Sequence, residues 1–413
     1  MTEDCSYMRT ILDLVAINHL SRPCRKNFMS EQIDLLNAVE NLLPTIEAAS
    51  DAAEKARKPD DDVITALAET GLFRAYVPKR FGGLELDYET FVRIGMKIAE
   101  ACTSTAWVTT FYMEHNWLIA HFPRQAQEEI WGNQPYFLAP GSISPTGTAR
   151  VDGDEYVLSG RWQWGTGVMH ADWVIVSGLV EGEPPELRMF MVPIDKIQVE
   201  DTWFVDGMVA TGSNDMVAQD LRVPQHMSQS VALMSVAATE GAQWHNSPTF
   251  KTPMINFKAI TAASPSVGCA RKAVQLFKER IQGRSLWGSG KNQMDQTAAQ
   301  MRLGQLSTRV EVCEREMLAV ARDLASLGNR EALSTPEERA SMRMRCTYIV
   351  RQCRDIVRDV VEASGASAHR LENPLQRLHR DIHTLSCHTV FDMDIASELY
   401  GQVLLELPTS APV

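Results

Sequence analysis

Apolar positions divide the chain into three textures. From about residue 35 to residue 131 they recur every three or four residues, the spacing of a single helix face. Within that stretch Asp60, Asp61 and Asp62 put negative charge where a helix would begin. Val63 and Leu67 follow on one face, and Gly71 supplies a residue tolerant of the left-handed conformation that ends helices. A further helix is expected over 88–109. Near residue 137 the period changes. Pro140, Gly141, Pro145 and Gly147 interrupt the chain, and alternation with a period of two follows at 156–162, 173–177 and 189–193. This predicts a small antiparallel β-domain reaching about Pro224. From about residue 243 the helical period returns, over 267–281, 295–328 and 336–364. No breaker lies between Pro374 and Gly401, so one helix is expected to run from Pro374 towards Gly401. Asp381 and His388, seven residues apart, would then share a face.

The expected organisation is a leader at 1–28, an N-terminal helical domain at 29–136, a middle β-domain at 137–226 and a C-terminal helical bundle at 227–413. The fold class is mostly α with a central β-domain. A chain of 413 residues exceeds one ordinary core, which agrees with several domains. Hydrophobic content of 45% and charged content of 22% are those of a globular protein. A net charge of −12 argues against nucleic acid or an anionic membrane as partner. No apolar run approaches the length of a membrane span. The eight cysteines are scattered without a C-x-x-C pair, as expected for reduced thiols and a cytoplasmic location. Glu3 and Asp4 stand where a signal peptide would need positive charge.

Chemistry-bearing residues are sparse. There is no G-x-G-x-x-G after a strand and no P-loop, so no nicotinamide-binding site is visible. His379, His383 and Cys387 are spaced by four, yet metal sites draw ligands from several elements and no further cluster supports one. No metal is expected. His388, on the polar seam of its expected helix, can act as a general base because a free imidazole titrates near 6.5. His115 lies in a second helix, where neighbouring Glu114 is expected to point elsewhere.

Several stretches are similar to those of the acyl-CoA dehydrogenase superfamily. They are Gly71–Gly83 with its Gly-Leu, Pro78 and Gly82-Gly83, then Thr103-Ser104-Thr105-Ala106-Trp107, 203–213, 220–224 and Arg380-Asp381. The resemblance covers nearly the whole chain from residue 35. It implies three domains: α-helical, antiparallel β, and a C-terminal four-helix bundle. In dehydrogenases that use this last helix, a glutamate stands about eight residues after the Asp; here the position is Thr389, preceded by His388. That arrangement resembles the oxygenase components of two-component flavin monooxygenases, the group that includes the para-hydroxyphenylacetate and steroid-ring hydroxylases.

The implied cofactor is reduced flavin, FMNH2 or FADH2, delivered by a separate NAD(P)H:flavin reductase. With O2 as co-substrate it would form a C4a-hydroperoxide that hydroxylates a small aromatic substrate. The resemblance assigns His388 and His115 to the substrate side, with Ser144 or Ser142 orienting a substrate hydroxyl. Ser142, Trp164 and Thr166 would form walls of the flavin site. Arg284 and Trp287, with Gln300 or Gln296, would reach the flavin phosphate of a neighbouring subunit in a homotetramer. Three alternatives remain open at this point: a dehydrogenase or oxidase with its base moved to Glu240, an amino-sugar N-oxygenase, and a silent scaffold.

Overall fold

The computed structural model describes residues 22–285, 288 and 290–409. Residues 1–21 of the leader expected at 1–28, and Trp287, lie outside the described residues.

The N-terminal layer is helical. Helix α1 (Arg22–Ala56) starts inside the segment expected to be leader. It buries Leu35, Val39, Ile46 and Ala53 along one stripe. Helix α2 (Asp61–Glu69) is capped by Asp60, whose carboxylate accepts from the amides of Asp62 and Val63. Gly71 takes φ 81° at its end. A side chain at Gly83 would collide with the Val77 carbonyl, and Gly82 takes φ 82°, which together account for the Gly-Gly pair. The single helix expected over 88–109 is two: α3 (Tyr88–Ala101) and α4 (Thr103–Ile119). Cys102 between them is extended, with φ −154° and ψ 114°. Every residue of α4 is buried, so its polar residues face protein rather than water. Helix α5 (Arg124–Trp131) closes this layer.

Seven strands follow: β1 (Gly141–Asp152), β2 (Glu155–Gly165), β3 (Trp173–Val180), β4 (Glu186–Pro193), β5 (Gln198–Glu200), β6 (Asn214–Pro224) and β7 (Ser228–Ser230). They form one sheet in the order β5-β6-β2-β1-β3-β4-β7. The expected strands fall inside β2, β3 and β4. The sheet is not wholly antiparallel, because β1 pairs with β3 in parallel and shifts register between Ser142 and Gly147. That irregularity leaves residues 143–146 of β1 outside the regular pairing, next to the paired Gly141 and Ser142, and the site uses this stretch.

Short helices α6 (Val231–Ser235) and α7 (Glu240–His245) lead to the C-terminal bundle. Its members are α8 (Met254–Gly283), α9 (Thr297–Gly328), α10 (Pro336–Ser364), α11 (Pro374–Ser386) and α12 (Met393–Leu404). Helix α8 is the shared spine. Phe257 sits in an aromatic cluster with Tyr76, Tyr88, Phe91 and Trp117, ring centroids 4.8–5.3 Å from its own. This cluster joins the N-terminal helices to the bundle. Among the described residues no helix is long and apolar enough to cross a membrane.

The long helix expected after Pro374 stops at Ser386. His388 caps a short 3-10 turn (Thr389–Phe391), its imidazole accepting from the Val390 amide, and α12 begins afterwards. Asp381 and His388 therefore do not share a helix face. Asp381 turns to the middle domain, where its carboxylate accepts from the Met208 amide at 2.6 Å. Burial raises its pKa from 3.8 to about 6. The native state therefore holds this proton more tightly than the unfolded chain. Its contribution is full below pH 3.8 and is lost as pH rises through about 6. Asp381→Asn keeps an acceptor for Met208 without the charge. Denaturant midpoints at pH 4 and pH 7 should show wild type losing stability relative to the variant as pH rises; parallel profiles would exclude this origin.

Candidate active site

A cleft of about 320 Å³ opens where the sheet meets α4, α8 and the end of α11. Its size suits a small organic ligand. Helix α4 contributes Trp107 and Phe111, and the irregular start of β1 contributes Gly141 to Ser144. The end of β2 brings Gln163, Trp164 and Thr166, α8 brings Lys258, and the turn after α11 brings Cys387, His388 and Thr389. Ser142, Ser144, Trp164, Thr166 and His388 thus meet although they span 246 positions (388 − 142). No Asp or Glu lines the cleft among the described residues. Glu240, the candidate for a relocated dehydrogenase base, is exposed on α7.

The wall beside β2 is hydroxyl-rich. Thr166 Oγ1 accepts from the Trp107 indole at 3.4 Å and lies 3.2 Å from Ser213 Oγ. Ser213 continues to Thr211, whose hydroxyl donates to the Met208 carbonyl. Trp164 has φ 66° and is 55% exposed. A bulky side chain in that conformation is strained, and such strain concentrates where a site needs a particular projection. A planar aromatic cofactor fits these residues: an exposed indole, apolar faces from Trp107 and Phe111, and hydroxyls at the edge. Arg284 and Gln300 are not part of this cleft. Arg284 ends α8 beside Glu279, Arg280 and Ser367 in an open surface groove, and the Gln300 amide donates to the Met294 carbonyl.

The two histidines carry opposite tautomers, fixed by their partners. His388 Nδ1 accepts from the Val390 amide at 3.3 Å, so its proton sits on Nε2. His115 Nδ1 lies 2.6 Å from the Ala139 carbonyl, an acceptor, so here Nδ1 holds the proton and Nε2 is bare. His388 lies edge-on to Trp107, ring centroids 5.4 Å apart, and also packs on Phe111. Burial first, then Lys258 and Arg343, lowers its pKa to about 4. It is a neutral hydrogen-bond donor at neutral pH, not the near-neutral base that its residue type suggests. Burial, with Lys258, lowers His115 to about 3.

His115 stands just behind the Gly141 wall: a Cβ at Gly141 would fall 2.7 Å from Nε2. That nitrogen is buried and has no hydrogen-bond partner among the described residues. Contrary to the expectation from their adjacency, Glu114 and His115 do approach, with Oε2 and Nε2 3.7 Å apart. Glu114 is fully buried against Lys258 Nζ at 3.2 and 3.3 Å. Lys258 lies far from both histidines in sequence, and no motif marks it. The only sequence signal is a lone cation in an otherwise apolar helical stretch.

Family models match two parts of the chain: "Acyl-CoA dehydrogenase, N-terminal domain" at residues 30–134 and "Acyl-CoA dehydrogenase, C-terminal domain" at 260–393. A pigment production hydroxylase from Rhodococcus sp. is 34% identical, covering 92% of this chain and 98% of its own. The flavin-dependent monooxygenase oxygenase subunit HsaA from Mycobacterium tuberculosis is 31% identical over 91% of this chain and 96% of its own. The chain belongs to the flavin-dependent monooxygenases with the acyl-CoA dehydrogenase fold. In this family the structure of XiaF from Streptomyces sp., solved with FADH2 and glycerol, superposes with a TM-score of 0.88 at 27% identity, covering 94% of this chain and 99% of that one. The enzyme is thus a flavoprotein monooxygenase.

Proposed function

We propose that the chain is the oxygenase component of a two-component system that hydroxylates a small phenolic or other electron-rich aromatic substrate, with reduced flavin supplied by a separate NAD(P)H:flavin reductase. The observation that carries this reading is the neutral imidazole of His388, an Nε2–H donor, in a cleft lined by aromatic rings and hydroxyls and by no carboxylate among the described residues. A cleft without an acid lacks the base for drawing a proton from a thioester, whereas a neutral donor beside an aromatic-walled space suits oxygen transfer to a phenol.

When bound, the reduced flavin activates O2 and presents an electrophilic oxygen. The protein's own residues do the rest. Trp164, Trp107 and Thr166 would hold the ring and its edge. Ser142 or Ser144 would orient the substrate hydroxyl. His115 Nε2 would accept the phenolic proton, which makes the ring a better nucleophile. The His388 Nε2 proton would stabilise negative charge that develops on the departing oxygen. Trp107, Phe111 and Leu385, which line the cleft, would keep water from this space once the ring is bound. Arg284 and Gln300 do not line the cleft of their own chain, which is compatible with their use on a neighbouring copy's flavin phosphate in a homotetramer.

The test is to supply the protein with reduced flavin, air and a panel of phenols, indoles and aryl sulfides. Stoichiometric hydroxylated product is expected from at least one phenol. Consumption of flavin with only hydrogen peroxide formed across the panel would refute the reading.

A further inference from the structure

The hydroxyl-rich wall of the cleft has a direction that its residue types do not show. It starts at the Met208 carbonyl, which accepts hydrogen bonds and cannot donate. That peptide is held in place. The Asp381 carboxylate accepts from the Met208 amide, and the Thr211 amide and the Trp203 indole each donate to the Met208 carbonyl at 3.1 Å. Thr211 Oγ1 lies 2.9 Å from the same carbonyl, Ser213 Oγ lies 2.7 Å from Thr211 Oγ1, and Thr166 Oγ1 lies 3.2 Å from Ser213 Oγ. Two oxygens this close repel each other unless a hydrogen lies between them, and each hydroxyl has one hydrogen to give. Three such contacts share three hydroxyls, and the chain ends on a carbonyl, so one assignment remains. Thr211 donates to Met208, Ser213 donates to Thr211, and Thr166 donates to Ser213. The Trp107 indole donates into Thr166 at 3.4 Å and occupies one of its lone pairs. Thr166 lines the cleft, and it is left with one lone pair and no hydrogen for a ligand.

The cofactor has a matching asymmetry. The edge of an oxidised flavin ring carries bare ring nitrogens, which accept hydrogen bonds. Reduction by two electrons puts N–H there, which donates. Resting on the function proposed above, in which Thr166 meets the edge of the ring, we propose that the hydroxyl chain running from Met208 through Thr211 and Ser213 locks Thr166 as an acceptor and thereby makes the site discriminate reduced from oxidised flavin. A reduced edge supplies a donor for the free lone pair of Thr166. An oxidised edge sets a nitrogen lone pair against that oxygen lone pair, unless Thr166 turns its hydrogen away from Ser213. Such a turn leaves two oxygens facing each other with no hydrogen between them. Thr211 and Ser213 are 1% and 2% exposed, so water has almost no access to repair the break. This discrimination suits a two-component system, in which reduced flavin arrives from another protein and oxidised flavin has to leave. Thr211 and Ser213 are positioning residues in this account, because they act on the ring through Thr166.

The test measures dissociation constants on the full chain by equilibrium dialysis, for oxidised FMN and FAD in air and for both reduced flavins without oxygen. The quantity read is the ratio of the oxidised to the reduced constant. Wild type should give a ratio above one; a ratio of one or less would overturn the lock. Thr211→Val removes the first hydroxyl of the chain. Ser213 is then free to turn its hydrogen to Thr166, and Thr166 is free to turn its own to the ring. The ratio should fall about tenfold, on the order of one hydrogen bond made in place of one opposed. The fall should come from tighter binding of oxidised flavin, with the reduced form bound as before. The reduction potential of the bound flavin should drop with it, by about 30 mV per tenfold for a two-electron couple. Thr211→Ser keeps the hydroxyl and should keep the wild-type ratio. An unchanged ratio in Thr211→Val, or weakening of both redox forms by one common factor, would overturn the lock; the second result is what a purely structural role for Thr211 gives. If Thr211→Val fails to fold, Ser213→Ala decides the question, because it frees the Thr166 hydrogen directly: the same fall supports the lock, and an unchanged ratio overturns it. The two proposals fail separately. Absence of hydroxylated product in wild type defeats the functional reading, whereas normal product with an unaltered ratio in Thr211→Val defeats only the lock.

Discussion

His115→Asn is expected to lower phenol hydroxylation by about 10²–10⁴-fold at neutral pH, the usual contribution of a positioned base. Asparagine keeps a donor close to the place of Nδ1 for the Ala139 carbonyl but has no acceptor at the place of Nε2. The fold of α4 should therefore survive while the proton acceptor is lost. The pH response gives the sign. A phenol ionises unaided near pH 10, so the deficit should shrink as pH approaches that value. Product per flavin, measured at pH 7 and again near pH 10, checks it. A deficit that is the same at both would mean that His115 positions the substrate without taking its proton.

His388→Ala is expected to reduce hydroxylated product by about 10²-fold while flavin is consumed as before, with hydrogen peroxide released in place of product. Two effects combine. The Nε2–H donor disappears, and a gap opens between Trp107 and Phe111, whose rings now pack on the imidazole. Water entering that gap would compete for the activated oxygen. Because His388 stays neutral with a pKa near 4, this loss should be nearly independent of pH between 6 and 9, unlike that of His115. The ratio of product to peroxide, read across that range, distinguishes the two histidines. An unchanged ratio in the alanine variant would remove His388 from oxygen transfer.

The contrast between the histidines was the least legible part of the site. Both are candidate bases by residue type, and nothing in a linear sequence states which ring nitrogen meets a backbone amide and which meets a carbonyl. His388 has its tautomer because α11 ends at Ser386 and turns the imidazole onto the Val390 amide. The unbroken polar-apolar pattern after Pro374 gave no sign of that stop, since its cause is the packing of a 3-10 turn rather than a proline or glycine. The break at Cys102 was missed for the same reason: Thr103 to Ile119 are all buried, and tertiary contacts overrode a helical pattern that reads as continuous. Lys258 and Glu114 were unreadable as a pair because they lie 144 residues apart on helices that cross only in the folded chain.

Much else was already present in the order of amino acids. The periods of three to four and of two place helices, sheet and helices in succession, because a buried face must repeat with the geometry of its element. Resemblance to the acyl-CoA dehydrogenase superfamily pointed to residues 142, 164, 166 and 388, and to the absence of an acid at 389, and these positions line one cleft. Which atom accepts and which donates, and which charge balances which, came from the fold. Hydrogen-bond direction and desolvation depend on what lies within a few ångströms, and it was three-dimensional packing that brought β1, α4, α8 and the turn after α11 within that range.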